Sequence, residues 1–489
     1  MPAIQVDVSP RHEISPRLYM QFMEPLGTTD SSVEACWDIL EDKWRDDFIA
    51  VTRDLAPSSI RWGGILTSFW KWRESVGEPS KRTPMINYLW GGMETNRVGV
   101  HEFLDFCEAV GAEPIMAINF AADGRPEYID TARGENRAGD AQEAADLVSY
   151  CNDPDNAERK ANGRDKPWNV RTWQIGNETS YPKKGERFTS EENARHYREF
   201  ADAMRARDSN ILLIGWGDME RDTNVWWAND LIAAAGEQID MVALHMMHQR
   251  PESEETSVLK GRLYQQDNDQ TWQELDAIYK SVEKKLLDAR SVVSKANPKL
   301  KLAITEGHLS LQPHNKIELL REWLSGVYHA RCMTLFERHS DIIDICTLAD
   351  FAGTSWLVNA VLLGSPREQP YLLPVGHVMR LFKTQSGTHG LSSESDSDSV
   401  VVSASRRDNT VYVHVTNTDI NKDAEINIDL GGAQANAIQC HRISPANISD
   451  AIDSTNLDVF AVQQSTVPNL NGISIPRASV NAYVIELAQ

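Results

Sequence analysis

Cysteine is scarce in this chain, and so is positive charge. Six cysteines (Cys36, Cys107, Cys151, Cys332, Cys346 and Cys440) are scattered over 489 residues without a CxxC pair or a regular spacing. That gives no disulfide framework, and reduced thiols are expected. Lysine and arginine number 49 against 71 acidic residues, a net charge of −22. Such a surface repels phosphate backbones and anionic lipid, so neither nucleic acid nor membrane is expected as a partner. No apolar run approaches the ~20 residues needed to cross a bilayer. The opening MPAIQVDVSPRHE lacks both a basic start and an apolar segment. No signal peptide is therefore expected, and the location that follows is cytoplasmic. Internal repeats are also missing. Hydrophobic content of 41% and charged content of 25% are ordinary for a soluble globular protein. The length exceeds what one core usually supports, so more than one domain is expected.

Tryptophan, by contrast, is abundant. Several of the 14 crowd together as Trp62, Trp70, Trp72 and Trp90. Flat indole faces suit the apolar faces of sugars, and they equally suit a core with a wet edge. Strand-like segments occur at 18–24, 59–62, 114–120, 170–178, 211–217, 241–245, 301–306 and 342–349. Helical periodicity fills the gaps. VHEFLDFCEAVG sets Phe103, Phe106, Cys107 and Val110 on one stripe and stops at Gly111. Thr189 and Glu192 stand at capping-box spacing. Eight strands alternating with helices predict an α/β fold, a (β/α)8 TIM barrel, with a doubly wound sheet as the alternative. Past Lys383 the pattern changes to period two. SSESDSDS reads as a polar linker or loop, and the rest as a C-terminal antiparallel β-sandwich. The expected division is a strand in residues 1–15 that joins the sandwich, a barrel over 16–383 and the sandwich over 384–489.

The stretch RTWQIGNETS, residues 171–180, carries an amide and a carboxyl to the end of an apolar strand, where an isolated charge is costly to bury. In a (β/α)8 barrel the chemistry collects at the C-terminal ends of the strands. Reading those ends gives Glu24, Arg61, Asn119, Asn177 with Glu178, His245 and Glu306. One glutamate there is as easily a helix N-terminal residue. Two glutamates, after strands four and seven, face each other across the barrel mouth. Paired carboxyl groups cleave glycosidic bonds: one protonates the leaving oxygen while the other attacks or activates water. His245 and His248, three apart and without a third ligand, make a poor metal set, so no metal and no cofactor are expected.

The segments MQFMEPLG, IRWGG, WGGMETNRVGVHEFLDFCEAVGAEPIMAINF, ANGRDKPWNVRTWQIGNET and ITEG resemble glycoside hydrolase family 51, the retaining α-L-arabinofuranosidases. The resemblance implies that Glu178 is the general acid/base and Glu306 the nucleophile, about 5–5.5 Å apart. It makes Asn177 the donor to the sugar 2-hydroxyl, and Glu24, Arg61 and His245 pocket residues. Asn119, Trp62 and His308 join them as candidate substrate contacts. The chain departs from the family at Met247, where a tyrosine would bond the nucleophile, in the proline-free RWGG loop, and at Gly307-His308 after the nucleophile. His248 and His308 are the candidate replacements for that tyrosine. The function implied is removal of terminal arabinofuranosyl or related furanosyl units from plant saccharides by double displacement. The partners implied are a carbohydrate substrate and further copies of the chain, as a hexamer or trimer of dimers. An endo-acting β-glucanase or xylanase, and a non-catalytic carbohydrate-binding barrel, are the alternatives.

Overall fold

Parallel strands at Met20–Met23, Ser59–Trp62, Glu113–Ala117, Thr172–Ile175, Leu212–Trp216, Met241–Gln249, Lys301–Ser310 and Ile343–Ile345 follow one another edge to edge. This is a computed structural model, and it describes residues 2–181, 188–249, 257–259, 263–311, 315–364 and 368–488. The cylinder closes where Cys346 bridges Tyr19 in parallel, with Met20 N donating to Cys346 O at 2.9 Å and Cys346 N to Leu18 O at 2.8 Å. Closure removes the sheet edges that would otherwise expose unpaired backbone groups.

Side-chain alternation then sorts the strands into two cores. Met20, Phe22, Ile115, Ile214, Trp216, Met241, Ala243, Ala303 and Ile345 fill the barrel interior. Their neighbours Ile60, Trp62, Met116, Trp173, Leu213, Val242 and Leu302 face outward and pack with the surrounding helices. Helix Val100–Val110 buries Phe103, Phe106 and Cys107 and ends on Gly111 at φ +76°, which only glycine adopts without strain. Helix Ser190–Arg205 opens with the reciprocal Thr189–Glu192 capping box. Each large apolar side chain buried in this way stabilises the fold by roughly 1.5–3 kcal/mol.

The tail forms a second β-structure with its own core of Ile4, Val6, Val400, Val402, Val413, Ile426, Ile428 and Ile485, among others. Here the structure differs from the sequence reading in three ways. The serine-acidic stretch is not wholly linker, because Ser392–Ser395 lie in strand His389–Ser395. Strand Ala3–Glu13 pairs antiparallel with that strand but parallel with Ala424–Asp429. The eighth barrel strand is shorter than expected, and Asp350–Gly353 forms a further strand that pairs with strand one. Barrel and tail are joined through Glu337, which accepts from Tyr19 Oη at 2.5 Å and lies 2.8 Å from His414 Nδ1. All six cysteines are buried. Among the described residues no helix is long and apolar enough to cross a membrane.

Candidate active site

Strand two supplies the centre of the site. Ser59 and Arg61 take the inward parity, and Arg61 is fully buried. Its guanidinium is committed on every nitrogen: Nε to Gln174 Oε1 at 2.7 Å, Nη1 to Glu306 Oε1 at 2.9 Å and Nη2 to Asn177 Oδ1 at 2.7 Å. The glycine pair that follows is required by contact. Gly64 has φ +113°, and a Cβ there would overlap the Glu24 carboxyl, while one on Gly63 would press on the Arg61 guanidinium.

Strand four delivers its polar pair through a backbone turn. Gly176 at φ +87° and Glu178 at φ +54° break the extended path. A left-handed conformation at a glutamate costs about 1–2 kcal/mol and must be held from outside. Asn177 N donates to Asp123 Oδ1 at 2.9 Å, Arg125 Nη2 to Asn177 O at 3.2 Å, and Tyr181 N to Glu178 O at 3.1 Å. Burial pushes the Asp123 carboxyl up to about 6, against the pull of Arg125. With its oxygen taken by Arg61, Asn177 keeps a buried Nδ2 that has no acceptor among the described residues.

Strand seven uses a bulge instead. The register with strand six runs Leu244↔Ile304 and then His245↔Glu306, so Thr305 is an extra residue. Strict alternation from Ala303 would turn Thr305 inward and Glu306 out to the helices. The inserted residue reverses this and gives Glu306 the parity of His245, a known use of bulges beside active sites. His245 Nδ1 then lies 3.2 Å from Glu178 Oε1 and 3.5 Å from Glu306 Oε2. One carboxylate oxygen of each glutamate and a ring nitrogen of His245 all lie within 4.8 Å of one another. Three such atoms could also hold a divalent cation, but the permanent charge of Arg61 on Glu306 opposes one. His248 stands outside this group, with Nδ1 2.9 Å from Tyr328 Oη.

Buried carboxyl groups crowd the pocket. Burial pushes Glu306 up to about 7, opposed by His245 and Arg61. Burial likewise pushes Glu24 up to about 7, opposed by bonds from Trp90 Nε1 at 3.2 Å and Leu66 N at 3.3 Å. Glu24, Glu178 and Glu306 share this space, and the permanent charge of Arg61 lies on Glu306. The contact favours the ionised form of Glu306. His308 Nδ1 lies 2.6 Å from Asp350 Oδ1. Burial alone would lower the imidazole pKa, but the Asp350 carboxylate, with Glu306 and Glu178 beyond it, raises it.

The structure therefore brings Glu24, Arg61, Asn177, Glu178, His245, Glu306 and His308 to one end of the barrel. Two expected contacts are not brought there. Trp62 follows Arg61 in the strand and so faces the other way, buried on Phe103 and Trp70 at ring distances of 5.4 and 5.6 Å. Asn119 is spent on backbone: Nδ2 donates to Trp70 O and Arg137 O, and Oδ1 accepts from Ala122 N and Gly139 N. It staples the loops after strands two and three. Nor do His248 and His308 replace the missing tyrosine, because Arg61 and His245 are the groups that reach Glu306. Sequence reading passed over Gln174, Asp123 and Trp356, whose ring meets Trp90 edge-on at 5.6 Å. Gln174 was within reach, since it shares the inward parity of strand four.

Comparison with known proteins points the same way. A family model described as "Alpha-L-arabinofuranosidase 1 domain" matches residues 51–267. An intracellular exo-alpha-(1->5)-L-arabinofuranosidase of Acetivibrio thermocellus is 28% identical over 263 residues, covering 50% of this chain and 48% of that protein. The match thus spans about half the length of the curated relative. The alpha-L-arabinofuranosidase of Thermotoga maritima, solved with arabinose, superposes with a TM-score of 0.79 at 21% identity over the whole of both chains. The GH51 arabinofuranosidase of Xanthomonas axonopodis pv. citri gives 0.80 at 21% identity over 99% of each. At that identity the two structures show a shared fold, a TIM barrel with a C-terminal sandwich.

Proposed function

We propose that the chain is a member of glycoside hydrolase family 51 and that it removes terminal α-L-arabinofuranosyl units, or closely related furanosides, from saccharides by double displacement. The observation that carries this reading is the pair Glu178 and Glu306, with oxygens inside 4.8 Å and Glu306 clamped by Arg61. Carboxyl groups of inverting enzymes stand ~6.5–9.5 Å apart to admit a water, whereas retaining pairs stand ~5–5.5 Å apart.

In the first step a Glu306 oxygen attacks the anomeric carbon, the bond to the leaving oxygen breaks, and Glu178 gives that oxygen its proton. In the second step a water oxygen attacks the same carbon, its proton passes to Glu178, and the ester to Glu306 is released. Arg61 neutralises Glu306 before attack and again as it leaves. Asn177, its oxygen fixed by Arg61 and its Nδ2 unclaimed, donates to the sugar hydroxyl next to the anomeric centre. His245 keeps the two carboxyls apart. Glu24 and His308 bind the remaining hydroxyls. The division of labour along the chain follows: residues 16–383 as catalytic barrel, residues 384–489 with the first strand as the sandwich. Carbohydrate is the partner, and self-association and a cytoplasmic location accompany the reading.

The test is turnover of a panel of nitrophenyl furanosides and pyranosides with product configuration read by NMR. The α-L-arabinofuranoside is expected to turn over with retention, and inverted product or an inert panel contradicts the proposal.

A further inference from the structure

Asp218 lies two residues past strand five, which spans Leu212–Trp216, and is fully buried. Its Oδ2 accepts from three places: Tyr181 Oη at 2.6 Å, His245 N at 3.1 Å and Lys285 Nζ at 2.9 Å. Oδ1 accepts from Met219 N at 2.7 Å. Lys285 comes from the long helix Asn268–Ala296 and also donates to His245 O at 2.7 Å. The pair therefore grips both peptide groups of His245, the residue whose Nδ1 stands between Glu178 and Glu306. On the other side Tyr181 donates its N to Glu178 O and its hydroxyl to Asp218. Arg221 lies over the Tyr181 ring at 3.9 Å. One carboxylate thus ties the left-handed turn of Glu178 to the strand that carries His245.

We propose that Asp218, ion-paired with Lys285, is a positioning residue that fixes His245 and the Glu178 turn relative to each other, and with them the proton-donor geometry at the leaving oxygen. The proposal rests on the acid/base reading of Glu178. The reasoning is electrostatic and geometric. A fully buried carboxylate persists only with a cation or several donors. Lys285 supplies that cation from outside the barrel, with its side chain 26% exposed. Without it, the buried Oδ2 loses its counter-charge and one of its three donors, and the bonds to His245 N and Tyr181 are no longer held in place. The sugar contacts assigned to Asn177, Glu24 and His308 do not pass through Asp218, so ground-state binding is spared.

The test is steady-state kinetics of the full chain with Lys285→Met and Lys285→Arg on two substrates, nitrophenyl α-L-arabinofuranoside and an arabinobiose whose leaving group needs a proton. Lys285→Met is expected to lower kcat on the disaccharide at least tenfold, with KM within threefold of wild type and a much smaller loss on the aryl substrate. Lys285→Arg is expected to recover most of that loss. Tyr181→Phe, which removes a hydroxyl without emptying the core, should reproduce the leaving-group dependence. Loss that is equal on both substrates, or that follows the folded fraction alone, overturns the proposal. So does an unchanged kcat. If wild type turns over neither substrate, the functional reading itself has failed, and that result is separate from these.

Discussion

Strands four and seven each deliver one glutamate to the same pocket, and they do so by different means. At strand four the backbone leaves the sheet through Gly176 and swings Glu178 into a left-handed turn held by Asp123, Arg125 and Tyr181. At strand seven the chain stays in the sheet to Ser310, and a one-residue bulge re-aims Glu306. The first glutamate sits on a turn whose position depends on its neighbours. The second is fixed by its ladder with strand six and by a buried arginine. The difference suits the proposed roles. An acid/base must give a proton to leaving groups of varied shape and then take one back from water, while a nucleophile must meet a single carbon along one line.

The comparison can be broken most severely at Glu306. Glu306→Ala removes the attacking atom, so turnover of every leaving group should fall by several orders of magnitude. Glu178→Ala should be selective. Substrates with poor leaving groups are expected to lose about 10²–10⁴-fold, the usual worth of general acid catalysis. Activated aryl glycosides should still transfer the sugar to Glu306, and added azide should release it. Equal losses in the two variants on both substrate types would erase the distinction.

A third, smaller effect sharpens the electrostatic half of the comparison. Glu306 must be ionised to attack, and burial holds its pKa near 7, so the acid limb of kcat/KM should lie above the ordinary carboxylate range. Arg61 lowers that pKa, so Arg61→Met should move the limb further up; an unmoved limb argues against the ion pair as the controlling contact. Stability should follow the same groups with a defined sign. Glu24 at about 7 and Asp123 at about 6 are raised above their unfolded values of 4.5 and 3.8. Below those unfolded values their contribution is fully present, and it is lost as pH rises through the folded ones. Tm should therefore decline between about pH 4 and 7, and Glu24→Gln should flatten the decline. The smallest catalytic effect belongs to Asn119→Ala. Stranding buried donors and acceptors should cost about 1–3 kcal/mol of stability, seen in urea melts, while KM stays unchanged.

Much of this was legible in the sequence. Period and spacing located all eight barrel strands, because buried parallel strands are short apolar runs between helices with clear caps. The two glutamates were legible because a carboxyl closing an apolar strand demands a reason. What escaped reading lay off the strand pattern. Alternation alone would have turned Glu306 outward, since a bulge leaves no mark in composition. Trp62 looked like a sugar platform because residue type does not show which face it takes, although Arg61 beside it fixes the answer once its partners are known. Asn119 stands at a strand end like Asn177, and only its four backbone contacts separate them. The partner of Glu306 was sought near it in sequence, among histidines, and was found on strand two.

The division between the two glutamates is tested most directly by trapping. Glu178→Ala protein mixed with a dinitrophenyl α-L-arabinofuranoside should give a burst of dinitrophenolate followed by slow turnover. Peptide mapping of the quenched mixture should find one pentosyl unit esterified to the segment ITEGHLS at Glu306. A burst without an adduct, or an adduct on any other carboxyl, would contradict the account.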